Sequence, residues 1–225
     1  MRCGGKLVLL VLLLALAVVL ASCQGGGGNA KESAEQGDSM KDMAHGDMSD
    51  MTGMTGGTEA SKGMAAEMVA PNGEYSDRNF IDAMVPHHQG AIEMAQVALL
   101  NAVHPELRDL AQNIITDQQA EIDQLKAIKQ REFGTSEVPM EMSPEHTKMM
   151  GMMENPEELA NEQPFDRAFI DAMIPHHSSA IEMAQVAYDN TSDDEIKELA
   201  QNIIDAQVGE IEQLTSWRNE WYPEG

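Results

Sequence analysis

An internal repeat constrains the fold of this chain more than any other feature. Residues 77–133 recur without a gap at 166–222, and more than half of the aligned positions are identical. A duplicated segment of this length indicates one supersecondary unit that is used twice. The two repeats are joined by a linker at 134–165, and together they form a predicted domain at 74–225.

Each repeat is predicted to form a helical hairpin. Apolar residues recur at helical spacing, which predicts helices over about 76–100 and 105–132 in the first repeat. Ser76 or Asp77 can cap the first of these helices, and Pro105 suits the first turn of the second. Because one hairpin cannot bury its own apolar stripe, two hairpins predict an all-α four-helix bundle. The long linker leaves open whether the equivalent helices of the two repeats run parallel or antiparallel.

Each repeat carries Pro-His-His inside its first helix, in "MVPHHQGAIEMAQVA" at 84–98 and "MIPHHSSAIEMAQVA" at 173–187. At about 100° per residue, His87 and His88 flank the apolar stripe, whereas Glu93 falls on the opposite, solvated face. Pro86 costs about 3 kcal/mol in a helix interior and predicts a kink. Buried imidazoles need partners, and Gln118, Glu121, Gln207 and Glu210 on the second helices are candidate hydrogen-bond partners.

These histidine pairs and the neighbouring methionines suggest a metal site. Thioether sulfur favours Cu(I), and imidazole binds copper in either oxidation state. Core filling is the simpler explanation for the four methionines taken alone. The candidate ligands in the repeats are Met84, His87, His88, Met94, Met173, His176, His177 and Met183.

The segment before the repeats has two parts. Residues 1–23 combine a basic start, an apolar run at 7–20 and the sequence "LASC", which resembles a bacterial lipoprotein signal with Cys23 as the lipidated residue. Residues 24–73 are rich in Gly, Ser, Asp and Met, and we expect them to be a disordered tether. A disordered tether has no apolar core for its side chains to fill. Six residues there could therefore bind metal as auxiliary ligands: Met40, Met43, His45, Met48, Met51 and Met54.

Charge and cysteine content narrow the function. The formal net charge of −24 argues against a nucleic-acid partner. The chain has two cysteines, Cys3 in the predicted signal and Cys23, so a processed lipoprotein would have no free thiol for metal binding or catalysis. In such a protein, methionine and histidine are the side chains left for binding copper.

The stretch "DRNFIDAMVPHHQGAIEMA" and its copy around Met173, His176, His177, Glu182 and Met183 resemble the family called domain of unknown function 305. The resemblance implies a ferritin-like helical bundle. Because the family includes periplasmic copper-binding proteins, it also implies a bundle that binds copper through Met and His.

The sequence thus predicts a non-enzymatic lipoprotein outside the cytoplasm, anchored to a bacterial membrane at Cys23. It would sequester Cu(I) or pass it between donor and acceptor proteins. One alternative is a structural or partner-binding bundle whose histidines form internal hydrogen bonds. A second is a ferritin-like metal oxidase, but neither repeat contains the Glu-x-x-His motif of that class.

Overall fold

The computed structural model describes residues 63–149, 153 and 155–224. The described residues form helices and contain no strand. The bundle helices are α2, Asp77–Asn101; α3, Pro105–Phe133; α5, Phe165–Asn190; and α6, Asp194–Trp221. Two shorter helices, α1 at Met64–Val69 and α4 at Pro144–Met149, and two 3-10 turns at Pro71–Gly73 and Pro156–Asn161 complete the described part. The predicted all-α bundle of two hairpins is therefore confirmed.

Local sequence signals explain where the bundle helices begin and end. The Ser76 hydroxyl accepts the N–H of Asn79 at 3.1 Å, as predicted for the N-cap of α2. The Asp193 carboxylate caps α6 by accepting the N–H groups of Glu195 and Ile196. At the end of α3, Gly134 adopts the left-handed conformation with φ of 72°, which favours glycine. Pro86 and Pro175 lie within α2 and α5, which are continuous helices.

The two hairpins meet along α2 and α5, which run antiparallel. The Asp166 carboxylate at the start of α5 accepts the N–H groups of Val103 and His104, which follow the end of α2. At the opposite end of the bundle, Arg131 near the end of α3 pairs with Glu195 at the start of α6. The chain therefore adopts the reversed arrangement that the long linker allowed.

This antiparallel pairing divides the apolar core into two clusters. One cluster contains Met84 of α2 and Met183 of α5, together with Ala180 and Ala184. The other contains Met94 of α2 and Met173 of α5, together with Ala91 and Ala95. Because α2 and α5 run in opposite directions, each methionine is grouped with a methionine of the other repeat: Met84 with Met183, and Met94 with Met173.

The structure corrects the predicted end of the disordered tether at residue 73. Residues Met64–Val69 form α1, which packs against α5 and α2, and both Ala65 and Val69 are buried. Ala65 and Val69 are four residues apart and therefore share one helix face, which the bundle covers. No helix in the described ranges is long and apolar enough to cross a membrane. The predicted signal, Cys23 and the methionines of the tether lie outside the described residues.

Candidate metal centre

Four histidines form a buried polar layer in the middle of the bundle. His87, His88, His176 and His177 are all fully buried. The rings of His87 and His176 meet across the α2–α5 interface, with centroids 3.8 Å apart and planes tilted by 42°. The two Pro-His-His motifs thus belong to one region, which the sequence had left undecided.

Within each pair, the two histidines face different helices because adjacent helical residues point about 100° apart. His87 faces the other hairpin, where its Nε2 lies 2.8 Å from the Ser179 hydroxyl. His88 faces its own hairpin, where its Nε2 lies 2.8 Å from Glu121 Oε2. His177 repeats this arrangement, with Nε2 2.7 Å from Glu210 Oε2. Glu121 and Glu210 therefore approach the imidazoles in both repeats, but the predicted hydrogen bonds are not formed, because Nε2 of His88 and of His177 has no hydrogen-bond partner in the described residues.

Ser179 was not identified from the sequence as part of the layer. Its hydroxyl donates to the His176 carbonyl at 2.7 Å and so accepts from His87 Nε2. The equivalent residue in the first repeat is Gly90, which has no hydroxyl. The difference between "HHSS" and "HHQG" was the available signal, but it acquires meaning only when α2 and α5 are known to be antiparallel.

Several buried polar atoms of this layer lack a hydrogen-bond partner among the described residues. They include both ring nitrogens of His88 and of His177 and both side-chain amide atoms of Gln118 and Gln207. The two glutamines are almost completely buried but do not bond the imidazoles as the sequence had suggested. Each unsatisfied buried group lowers the free energy of unfolding by about 1–3 kcal/mol, so this layer destabilises the bundle unless something else binds there.

The environment keeps His176 uncharged at neutral pH. Burial lowers the pKa of His176 well below 6.5, and the neighbouring rings of His87, His177 and His88 lower it further. A neutral imidazole retains a lone pair, which is the form that binds a metal ion. The layer is therefore prepared to bind a cation without first releasing a proton from this ring.

The four candidate methionines offer thioether sulfur, a donor that suits a soft metal ion. Met84, Met94, Met173 and Met183 are all buried, in the two apolar clusters. Nowhere in 63–149 or 155–224 do three or more His, Cys, Asp or Glu side chains form a ready metal site. The donor set therefore fits an ion that accepts thioether and imidazole together, rather than one that needs several carboxylates or thiolates.

A second polar cluster lies at the end of the bundle and was not predicted from the sequence. The buried Asp166 carboxylate accepts Nδ1–H of His104 at 2.6 Å in addition to the two backbone N–H groups of the α2–α3 turn. The His104 ring stacks on Trp221 with centroids 3.7 Å apart, and Trp221 stacks on Trp217. These contacts attach the α2–α3 turn to the start of α5 and to the end of α6.

The described residues define a class of protein: an all-helical bundle of two antiparallel hairpins with imidazoles at its centre. The chain belongs to the DUF305 family, because the family model "Domain of unknown function (DUF305)" matches residues 27–129 and 77–218. The family resemblance seen in the sequence is therefore confirmed.

Solved structures of similar proteins include several forms of one protein, CopM. The Cu(II)-bound form of CopM is 45% identical, with a TM-score of 0.61, over 66% of this chain and 99% of CopM. The Cu(I)-bound form is 40% identical over 66% and 99% of the respective chains, with a TM-score of 0.56. A DUF305 fragment from Deinococcus radiodurans is 29% identical over 62% of this chain and 93% of its own, with a TM-score of 0.57.

Among curated proteins, the uncharacterised protein L153 of Acanthamoeba polyphaga mimivirus is 43% identical over 51 residues. That match covers 23% of this chain and 34% of the viral protein, so this chain spans about a third of the viral relative.

Proposed function

We propose that this protein binds copper, preferably Cu(I), through the buried histidines and the methionines of the bundle. Its role would be to sequester copper or pass it on, and so to protect the cell against excess copper. The candidate ligands are the four layer histidines with Met84, Met94, Met173 and Met183. In this proposal copper is cargo, and the protein is not an enzyme.

The unsatisfied polar atoms in the layer carry this proposal. A structural bundle gains nothing from burying Nδ1 of His88, Nδ1 of His177 and two glutamine amides without partners. A bound cation would compensate the imidazole nitrogens directly. This observation favours metal binding over a purely structural or partner-binding bundle, which would be expected to pair these groups or replace them with apolar side chains.

The chemistry of the available donors favours copper over other metals. The layer offers neutral imidazole, and the adjacent clusters offer thioether, whereas zinc prefers thiolate or several imidazoles and hard ions prefer oxygen. CopM, 99% of which aligns with 66% of this chain, has been solved with Cu(I) and with Cu(II) bound. That likeness supports copper as the cargo.

The proposed location is outside the cytoplasm, with a lipid anchor at Cys23 holding the protein at a bacterial membrane. The lipoprotein-like signal at 1–23 and the acidic charge of −24 support this location. Copper donor or acceptor proteins are the expected partners, and the methionines at 40–54 with His45 would provide weaker, auxiliary binding.

A ferritin-like oxidase is the competing proposal, because Glu121 and Glu210 reach the buried histidines. Each of these carboxylates contacts one imidazole, and the described residues hold no cluster of three metal-binding His or acidic side chains. A dinuclear oxidase site requires several converging carboxylates. Oxygen consumption in the presence of Cu(I) or Fe(II) tests this alternative.

An anaerobic Cu(I) titration of residues 24–225 against a chromophoric Cu(I) chelator tests copper binding. We expect the protein to compete with the chelator, and a variant with His87, His88, His176 and His177 all replaced by Ala to lose most of this competition. Replacement of the exposed Gln112 and Gln119 of α3 by Ala serves as the control. A wild-type protein that cannot compete would contradict the proposal.

A second comparison separates the bundle from the tether. Removal of residues 24–62 leaves α1 and the bundle intact, and we expect the tighter class of Cu(I) binding to remain. Loss of all binding in this truncated protein would assign copper to the tether instead.

A further inference from the structure

The buried histidine layer approaches the surface of the bundle at two glutamates. Nε2 of His88 lies 2.8 Å from Glu121 Oε2, and Nε2 of His177 lies 2.7 Å from Glu210 Oε2. The two imidazole side chains are 0% exposed, whereas each glutamate side chain is 17% exposed. Each carboxylate therefore lies between a buried ring and solvent.

Both glutamates belong to the side of the bundle that α3 and α6 form. Within each hairpin, α2 packs on α3 and α5 packs on α6, and α2 packs on α5 between the hairpins. Helix α1 and the turn at Pro156–Asn161 both pack on α2 and α5, so they cover the opposite side. The shortest route from solvent to His88 and His177 therefore passes between α3 and α6.

Asp117 brings a third carboxylate to this side. It lies one turn before Glu121 on α3 and so shares a helix face with it. Asp117 is 14 residues before Arg131, and Glu210 is 15 residues after Glu195, the residue of α6 that pairs with Arg131. Because both helices rise about 1.5 Å per residue, Asp117 and Glu210 lie at the same level of the bundle.

The three carboxylates are close enough to repel one another. Burial raises the pKa of Asp117, and the negative charges of Glu210 and Glu121 raise it further. Among residues 63–149 and 155–224, no Lys or Arg forms an ion pair with any of the three. A cation between α3 and α6 would relieve this repulsion.

The buried imidazoles beneath the carboxylates distinguish this cluster from an ordinary acidic surface. Both ring nitrogens of His88 and of His177 lack a hydrogen-bond partner in the described residues. Each ring therefore presents an unpartnered polar atom towards a carboxylate of the cluster. A cation that reaches the carboxylates is already next to two nitrogen ligands.

We propose that Asp117, Glu121 and Glu210 form an acidic entrance through which copper passes from solvent to the buried histidine layer. This proposal rests on the proposed function, because it assumes that the layer binds copper. The carboxylates attract the ion but do not retain it, since Cu(I) prefers imidazole and thioether to carboxylate oxygen. Accordingly, no group of three or more His or acidic residues in the described ranges forms a ready metal site.

The rate of Cu(I) uptake by residues 24–225, measured without oxygen, tests the entrance. Protein is mixed with Cu(I) in a buffer that contains acetonitrile. After a set delay, an excess of a chromophoric chelator captures all Cu(I) that has not reached the tighter sites, including Cu(I) on the tether. The tether is identical in every variant, so differences in rate come from the bundle.

Asp117→Asn is the informative variant, because Asp117 is exposed and the two glutamates that contact the histidines stay unchanged. We expect uptake to be about 2–5-fold slower than in the wild type at about 10 mM salt, where the Debye length is about 30 Å. At about 0.5 M salt these charges are screened, and the two rates should agree. Glu212→Gln is the control, since it removes one exposed charge from the other side of α6 and should not slow uptake.

The second repeat offers the opposite test. The residue equivalent to Asp117 is Ala206, which is exposed. Ala206 is 11 residues after Glu195, and Glu121 is 10 residues before Arg131, so these two residues are also level. Ala206→Asp should therefore add a charge to the entrance and speed uptake about 2–5-fold at low salt.

The outcomes separate the entrance from the proposed function. Equal low-salt rates for Asp117→Asn and Glu212→Gln, with Cu(I) affinity intact, overturn the entrance and leave copper binding in place. An Ala206→Asp variant no faster than the wild type also contradicts the entrance. A weaker equilibrium affinity of Asp117→Asn at high salt would make Asp117 a ligand instead. A wild-type protein that takes up no Cu(I) overturns the proposed function and the entrance with it.

Discussion

At the residue scale, the histidine layer is less symmetrical than the repeated sequence suggests. Ser179 joins the carbonyl of His176 to the ring of His87, whereas the first repeat has Gly90 at this position. The helical periodicity of the sequence was sufficient to predict that the histidines face inward, because the Ala-rich stripe beside them fixes the buried face. It could not predict that His87 and His176 contact each other or that Ser179 joins them, since both depend on the direction of α5.

Replacing Ser179 by Ala should lower the free energy of unfolding by about 1–3 kcal/mol, because it removes the hydroxyl that accepts from the buried His87 ring. Urea unfolding of the soluble chain measures this difference. Ser178→Ala is the control, since the Ser178 hydroxyl donates to the Ile174 carbonyl within its own helix, α5. A loss for Ser179→Ala no larger than that for Ser178→Ala would show that the hydroxyl is not a structural requirement of the layer.

The lowered pKa of His176 predicts that acid destabilises the metal-free protein. Its pKa lies below 6.5 in the folded state and near 6.5 in the unfolded state, so the unfolded chain binds more protons below that pH. The stabilisation that uncharged His176 gives to the folded state is therefore complete above about pH 6.5, and it is lost as the pH falls towards the folded-state pKa of His176. We expect the free energy of unfolding to decrease by up to about 1.4 kcal/mol per pH unit from this group.

Unfolding in urea between pH 7 and pH 5 measures this slope, and His176→Gln provides the comparison. The variant should show a shallower dependence on pH than the wild type, because the carboxylates that also titrate are unchanged. Equal slopes for the two proteins would mean that His176 does not contribute.

At the scale of elements, caps and apolar periodicity predicted the bundle helices almost to their ends. Ser76, Pro105 and Gly134 mark helix ends by local backbone chemistry, which a sequence displays directly. Helix α1 was missed because its neighbours are Gly- and Met-rich and its short apolar pattern gains stability from packing on α5 and α2. The direction of α5 was open because a linker of this length permits both arrangements.

Asp166 should be one of the most important residues for joining these elements. Its buried carboxylate accepts the N–H groups of Val103 and His104 and the His104 ring, so Asp166→Ala leaves several polar groups without a partner. We expect a loss of about 2 kcal/mol or more in the free energy of unfolding. Trp221 fluorescence should change as well, since the His104 ring stacks on it.

The matched control is Asp77→Ala at the equivalent position of the first repeat. Asp77 accepts the Tyr75 hydroxyl, and among residues 63–149 and 155–224 it has no hydrogen bond to a turn of the other hairpin, so its replacement should cost less. Equal losses for the two variants would contradict the idea that Asp166 attaches the α2–α3 turn to α5.

At the scale of the whole molecule, two similar hairpins pack antiparallel through α2 and α5, which gives the bundle an approximate two-fold axis near His87 and His176. Each hairpin covers the apolar stripe of the other, including the alanines at 91, 95, 180 and 184. A two-fold interface of this kind is self-complementary when both partners are identical. The interface is therefore suited to pairing two copies of one hairpin.

The isolated first repeat, residues 76–134, should accordingly form a helical homodimer with two copies of α2 in place of α2 and α5. Alone, it would expose Met84, Ala91 and Met94, and a single hairpin cannot bury this stripe. Sedimentation equilibrium and circular dichroism across a range of concentrations test this, with dissociation and loss of helicity expected together. Ala91→Glu is the control, because a buried carboxylate at the axis should leave an unfolded monomer. A first repeat that stays helical as a monomer would contradict this prediction. It would show that one hairpin folds independently and does not need a second hairpin to cover its apolar stripe.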